Sequence, residues 1–162
     1  MSWKSRKRKA FFRYVEMLKA APIHLIDQFI FIDEFVYHYK KNKIAADRNK
    51  KGVQLSYENY LKDGKIKGPF DFDNHFNPDL TLDIHFERDP QKANALIKKT
   101  LMQIGETWHQ RLKNKFPDYN YTLVVYFNSE DSEWYLDFYN GVVKIEELDR
   151  SEKCVDVIYL SD

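Results

Sequence analysis

Residues 89–116 limit the fold more than any other stretch of this chain. Ala93, Ile97, Leu101, Ile104, Trp108 and Leu112 recur at steps of three or four, which draws one apolar stripe along a helix. Lys98, Lys99, Gln103, Glu106, Gln110 and Lys113 fall between them and face water. Asp89-Pro90 opens the helix. The carboxylate accepts from the free amides of the first turn, and proline at the first helical position already has a helical φ. Pro117 stops it. At about 1.5 Å per residue the rod is roughly 42 Å long. A rod of that length with one apolar side needs a sheet or another helix to lie on.

The elements around it follow from the same periodicity. Residues 3–20 read as a helix with Phe11, Tyr14, Val15 and Leu18 on one face. Its first turns carry Lys4, Arg6, Lys7, Arg8, Lys9 and Arg13, at the end where the helix dipole is already positive, so the start is expected to fray. After Pro22, residues 23–43 are densely apolar. Their length favours a second helix, and their β-branched and aromatic content also permits a strand at 28–32. The helix reading gives an N-terminal helical pair over residues 1–45.

From Lys40 to Asn77 the chain reads as a basic run followed by turns and a long polar connection. Leu80, Leu82, Ile84 and Phe86 then alternate with Thr81, Asp83, His85 and Glu87, the pattern of a half-buried strand. The long helix follows, then strand-like runs at 121–127, 134–139, 142–148 and 154–160. Strand, helix, strand predicts a right-handed parallel crossover between 80–87 and 121–127. Asn140-Gly141 reads as a two-residue hairpin turn.

The expected fold is therefore α+β, in a single domain spanning 1–162. A mixed, mainly antiparallel sheet of about five strands carries the long helix on one face, over residues 78–162. The N-terminal helical pair completes it, in the order α-α-β-α-β-β-β-β.

Chemistry is harder to find. The five histidines show no metal-ligand spacing, and the single cysteine, Cys154, permits neither a zinc knuckle nor an internal disulfide. Cys154 has no adjacent base to favour its thiolate. Glycine-rich phosphate loops and nucleophile elbows are missing. The nearest approach to a metal cluster is Asp71, Asp73, His75, Asp79, Asp83 and His85, which supports a metal-dependent enzyme only as an alternative. The expectation is a chain without catalytic residues, metal or cofactor. No secretory h-region or membrane-spanning run is seen, which points to a cytoplasmic protein with no membrane span. Oligomeric state is left open.

Charge carries the partner expectation. Residues 129–162 hold 10 acidic against 3 basic side chains, and residues 1–128 hold 15 against 23. If the apolar sides of the strands cover the long helix, the opposite side presents Asp83, His85, Tyr126, Tyr135, Asp137 and Tyr139. The acids Glu130, Asp131 and Glu133 lie at its end. Tyrosines among carboxylates suit the binding of a basic protein, because the rings give stiff contact area and the acids steer a cation. The most concrete version is an immunity-type inhibitor that occludes a basic, nuclease-like toxin. The alternative is nucleic-acid binding through Lys4, Arg6, Lys7, Arg8, Lys9 and Arg13.

Overall fold

The structure is a computed structural model that describes residues 1–26, 29–32, 62, 80–147 and 151–161. Helix α1 spans Trp3–Lys19, and a hairpin of β1 (Ile23–Ile26) and β2 (Phe29–Ile32) follows. Helix α2 spans Pro90–Lys115. Strands β3 (Tyr121–Asn128), β4 (Glu133–Asn140) and β5 (Cys154–Tyr159) form an antiparallel sheet in the order β4-β3-β5.

Helix α2 begins as its sequence dictates. The Asp89 side chain accepts from the Gln91 amide at 3.0 Å, and Pro90 takes the first helical position. Leu101, Ile104, Trp108 and Leu112 are buried along one stripe, against Leu123 and Val125 of β3 and Trp134, Leu136 and Phe138 of β4. Each such side chain contributes roughly 1.5–3 kcal/mol by leaving water. Gly105 lies on the same side. A Cβ there would sit 2.3 Å from Leu160 Cδ1 and 3.0 Å from Leu136 Cδ1, so a larger residue would force the Leu160 side chain to move.

Helix α1 packs beside α2 through Phe11, Val15 and Leu18. Two long-range hydrogen bonds fasten its end: Trp108 Nε1 donates to Leu18 O at 2.8 Å, and Arg111 to Lys19 O at 2.8 Å. Its start is capped by Ser2, whose hydroxyl accepts from the Ser5 amide at 3.1 Å. The helix therefore starts at Trp3 despite its unfavourable charge, where fraying is expected from the dipole alone. Tyr14, assigned by periodicity to the core face, is exposed.

Several expected elements are corrected. Among the described residues, the expected five-stranded mixed sheet is a three-stranded antiparallel sheet with a separate two-stranded hairpin, in the order α-β-β-α-β-β-β. The N-terminal helical pair is absent from residues 23–32, where β1 and β2 pair from Ile23↔Ile32 to Ile26↔Phe29. β-Branched and aromatic side chains decide that segment, as they fit a pleated surface better than a helical turn. Residues 33–45 of that expectation lie outside the described residues, as do the polar connection and Asp71, Asp73, His75 and Asp79.

Leu80–Glu87 forms no strand and no parallel crossover. Leu80 makes one isolated antiparallel bridge to Leu136, with amide-to-carbonyl distances of 3.0 and 2.8 Å. Thr81 Oγ1 then donates to Trp134 O at 2.8 Å. Leu80, Leu82 and Phe86 are still buried and Asp83 and His85 still exposed. The period of two records which side of this strap faces the core, not a hydrogen-bonded ladder.

Asn140-Gly141 is not a hairpin turn. A type I′ turn needs positive φ at both central residues, and only Gly141 has it, at 88°. The chain beyond enters a 3₁₀ turn at Ile145–Glu147 instead of pairing back on β4. The partner of β4 is β3, joined by the loop 129–132, and β5 covers the other edge of β3 with a bulge at Asp156, whose φ is 50°.

Candidate functional site

The nine expected partner-binding residues divide by burial. Tyr126, Asp137 and Tyr139 are each 1 % exposed, so they offer nothing to a docking partner. Alternation assigns them correctly to the side of the sheet away from α2, but that side is covered too. Val124, Tyr139 and Ile145 form a second apolar cluster there, with Val143, Cys154, Val157 and Tyr159 against it. Asp137 accepts from the Tyr139 hydroxyl at 2.7 Å, and the Tyr126 ring stacks on Tyr135 at 5.8 Å.

Glu130, Asp131 and Glu133 are exposed, and Tyr135 is half-buried below them. The loop that carries them is tightly organised. Asn128 Oδ1 accepts from the Glu130 amide at 2.9 Å, and Asp131 Oδ1 from the Glu133 amide at 3.1 Å. The Ser132 amide donates to Asn128 O at 2.8 Å, and Ser132 adopts the left-handed conformation at φ 60°. Such local side-chain bonds are what make Asn, Asp and Ser turn formers.

The Tyr135 hydroxyl donates to Asp131 Oδ2 at 2.5 Å and to Glu133 Oε2 at 3.3 Å. The bond to Asp131, then burial, hold the phenol well above its usual pKa. Lys153 pairs with Glu130 at 2.7 Å, and Ser129 donates to Lys153 O at 2.8 Å, so the loop is tied to the start of β5. The strap 80–86 starts beside the first residues of β4, where Leu80 bonds Leu136 and Thr81 bonds Trp134, and ends with Phe86 against Phe11 and Phe12 of α1. Asp83 and His85, both exposed, lie along it. Among the described residues no three His, Cys, Asp or Glu side chains are grouped to hold a metal ion.

The opposite end of the sheet holds a feature that sequence reasoning missed. A cleft of about 890 Å³ opens between the end of α2, the start of β3 and residues 142–147. Phe116, Tyr119 and Tyr121 wall it; Lys113, Lys144, Glu146 and Glu147 rim it. The Tyr121 hydroxyl lies 2.7 Å from His109 Nδ1, and Tyr159 O–H accepts from the Ile145 amide at 2.9 Å. Nothing local in the sequence joins these groups. His109 reads only as a polar neighbour of Trp108, and its partner lies on the next strand.

His109 is held below its ordinary pKa of 6.5, first by burial and then by the Lys113 cation. The folded chain therefore binds fewer protons than the unfolded chain between these two pKa values. The associated stability is complete above about pH 6.5 and is lost as pH falls through that window. Thermal melts near pH 7.5 and pH 5.5 should show a smaller acid-induced drop in His109→Gln than in the parent chain. An equal drop in both would assign the pH dependence to other groups.

The six basic side chains of the alternative reading, Lys4, Arg6, Lys7, Arg8, Lys9 and Arg13, are all exposed on α1. Among the described residues, no helix is long and apolar enough to cross a membrane. Neither a protein-family model, nor a curated protein, nor a solved structure matches this chain.

Proposed function

We propose that this chain is a non-catalytic protein-binding module, of the immunity-inhibitor kind, that covers the positively charged cleft of a basic, nuclease-like toxin. The contact is made by Glu130, Asp131 and Glu133 on the β3–β4 loop, with Tyr135 beneath them and Asp83 and His85 on the adjoining strap. One observation carries this reading: three exposed carboxylates lie within four residues of a loop already held by its own hydrogen bonds. A loop ordered before binding loses less entropy when it docks. Exposed rim charges of one sign raise the rate of encounter with a partner of the other sign. Tyr126, Asp137 and Tyr139 take no part in this footprint.

The test is retention of partner from a lysate of the native source, on immobilised parent chain and on a Glu130→Gln/Asp131→Asn/Glu133→Gln variant. The amide replacements keep most acceptors of the loop, remove its charge and break the Glu130–Lys153 ion pair, while the Ser129 bond to Lys153 O still ties the loop to β5. The parent should retain a basic protein at low salt, and the variant should bind it about tenfold more slowly. Retention of no basic protein, or equal capture by both chains, would count against the reading.

A further inference from the structure

We infer that the solvent face of α1 is a binding surface for single-stranded nucleic acid, separate from the β3–β4 loop. Six cations stand on the first three turns, and no acidic residue lies in the first turn. Among the described residues none of the six is ion-paired, and the one ion pair on the helix is Lys19 with Glu16. Lys7 lies over the Trp3 ring, and Arg8 lies over Phe12 and Phe86.

The geometry sorts these groups. Phe11, Val15 and Leu18 point into the core. At 3.6 residues per turn, Arg6, Lys9 and Arg13 form a row directly opposite the core, and Trp3, Lys7 and Tyr14 lie on the flank beside Phe11 and Leu18, about 100° round the helix from that row. Trp3 is 55 % exposed and Tyr14 45 %. The two rings, eleven residues apart, are separated by about 16 Å along the axis, with Lys7 between them and the Arg6, Lys9 and Arg13 row further round the helix. Aromatic faces set among cations are what unstacked bases and their phosphates require.

Electrostatics favours the same ligand. Cations at a helix N-terminus oppose the dipole, and here they also repel one another. The Ser2 cap and the core contacts hold the helix folded against that repulsion. A polyanion laid along α1 removes the repulsion and gains the attraction, so the cost carried by the unliganded helix becomes affinity. An anionic membrane is disfavoured, because an interfacial helix must bury an apolar face in the headgroups and that face of α1 already lies in the protein core.

Fluorescence anisotropy with the full chain and a labelled mixed-sequence single-stranded oligonucleotide tests the inference. With about four phosphates contacted, affinity should fall roughly 50-fold between 50 and 200 mM salt. Arg6→Gln/Lys9→Gln/Arg13→Gln should weaken binding at least tenfold and flatten the salt dependence. Trp3→Ala should weaken it about tenfold and leave the salt slope unchanged, because stacking carries no counterions. Circular dichroism on both variants establishes that α1 is still helical. The Glu130→Gln/Asp131→Asn/Glu133→Gln variant should still bind the oligonucleotide, which keeps this test independent of the protein-binding proposal. Absent binding at low salt, unchanged affinity in the arginine and lysine variant, or equal affinity for phosphatidylserine vesicles or polyglutamate would overturn it.

Discussion

Trp108→Ala is expected to cost about 4 kcal/mol of stability, the largest effect of any single change considered. Trp108 is 2 % exposed, in the middle of α2, and it does two things. Its ring fills the space between α1, α2 and the sheet, and its Nε1 donates to Leu18 O at the last turn of α1. Leu18 O also accepts from the Ala21 amide at 3.0 Å, so it keeps one partner when the indole is removed. Most of the loss is therefore the cavity. Trp108→Phe separates the terms: it keeps an aromatic ring and removes the donor, and should cost roughly 1–2 kcal/mol. Urea denaturation followed by far-ultraviolet circular dichroism measures both. At this chain length the alanine variant should also melt about 10 °C lower. A loss below about 1.5 kcal/mol for Trp108→Ala would mean that α1 is not anchored through this ring.

Asn140→Ala is expected to cost about 2–3 kcal/mol, which is large for a polar residue at the end of an exposed-looking turn. The Asn140 side chain behaves like a piece of backbone. Its Oδ1 accepts from the Ile30 amide at 2.7 Å, and its Nδ2 donates to Ile30 O at 2.9 Å, 110 positions away in sequence. The β1–β2 hairpin is docked to the end of β4 by this pair of bonds and by the burial of Ile23, Ile30 and Ile32 in the main core. Removing the amide takes two hydrogen bonds from the peptide groups of a 0 %-exposed residue. Asn140→Asp is the informative companion. It keeps the acceptor, loses the donor and brings a carboxylate toward a carbonyl oxygen, so it should cost at least as much as alanine at neutral pH. Equal stability of all three chains would show that the Asn140 amide contributes nothing to holding the hairpin.

Asn140 also illustrates why part of the fold was illegible. Read locally, Asn-Gly is a hairpin turn. Its side chain is instead committed to a residue no local window includes, and Asn140 lacks the positive φ the turn requires. Residues 80–86 repeat the lesson. Their alternation states correctly that Leu80, Leu82 and Phe86 face inward, yet pairing stops after Leu80. For 23–32, apolar content was evident and its period was not, so a hairpin read as a helix.

The acidic loop was legible as charge, because Glu130, Asp131 and Glu133 are consecutive enough to share one turn whatever the fold. The cleft was not, because His109, Tyr121 and Tyr159 come from three elements that local patterns do not join. Parity likewise put Tyr126, Asp137 and Tyr139 on the far side of the sheet. It could not say whether anything covers that side, and exposure is what a docking surface needs.

Local chemistry thus determined α1, α2 and the three sheet strands, since caps, prolines and side-chain period act within a few residues. It also determined the inward side of α2 and of residues 80–86, though not that of Tyr14 on α1. Tertiary structure decided which segments pair, which face is buried twice, and where a cleft opens. Those outcomes depend on competition among distant surfaces for the same partners, and a sequence window holds only one competitor at a time.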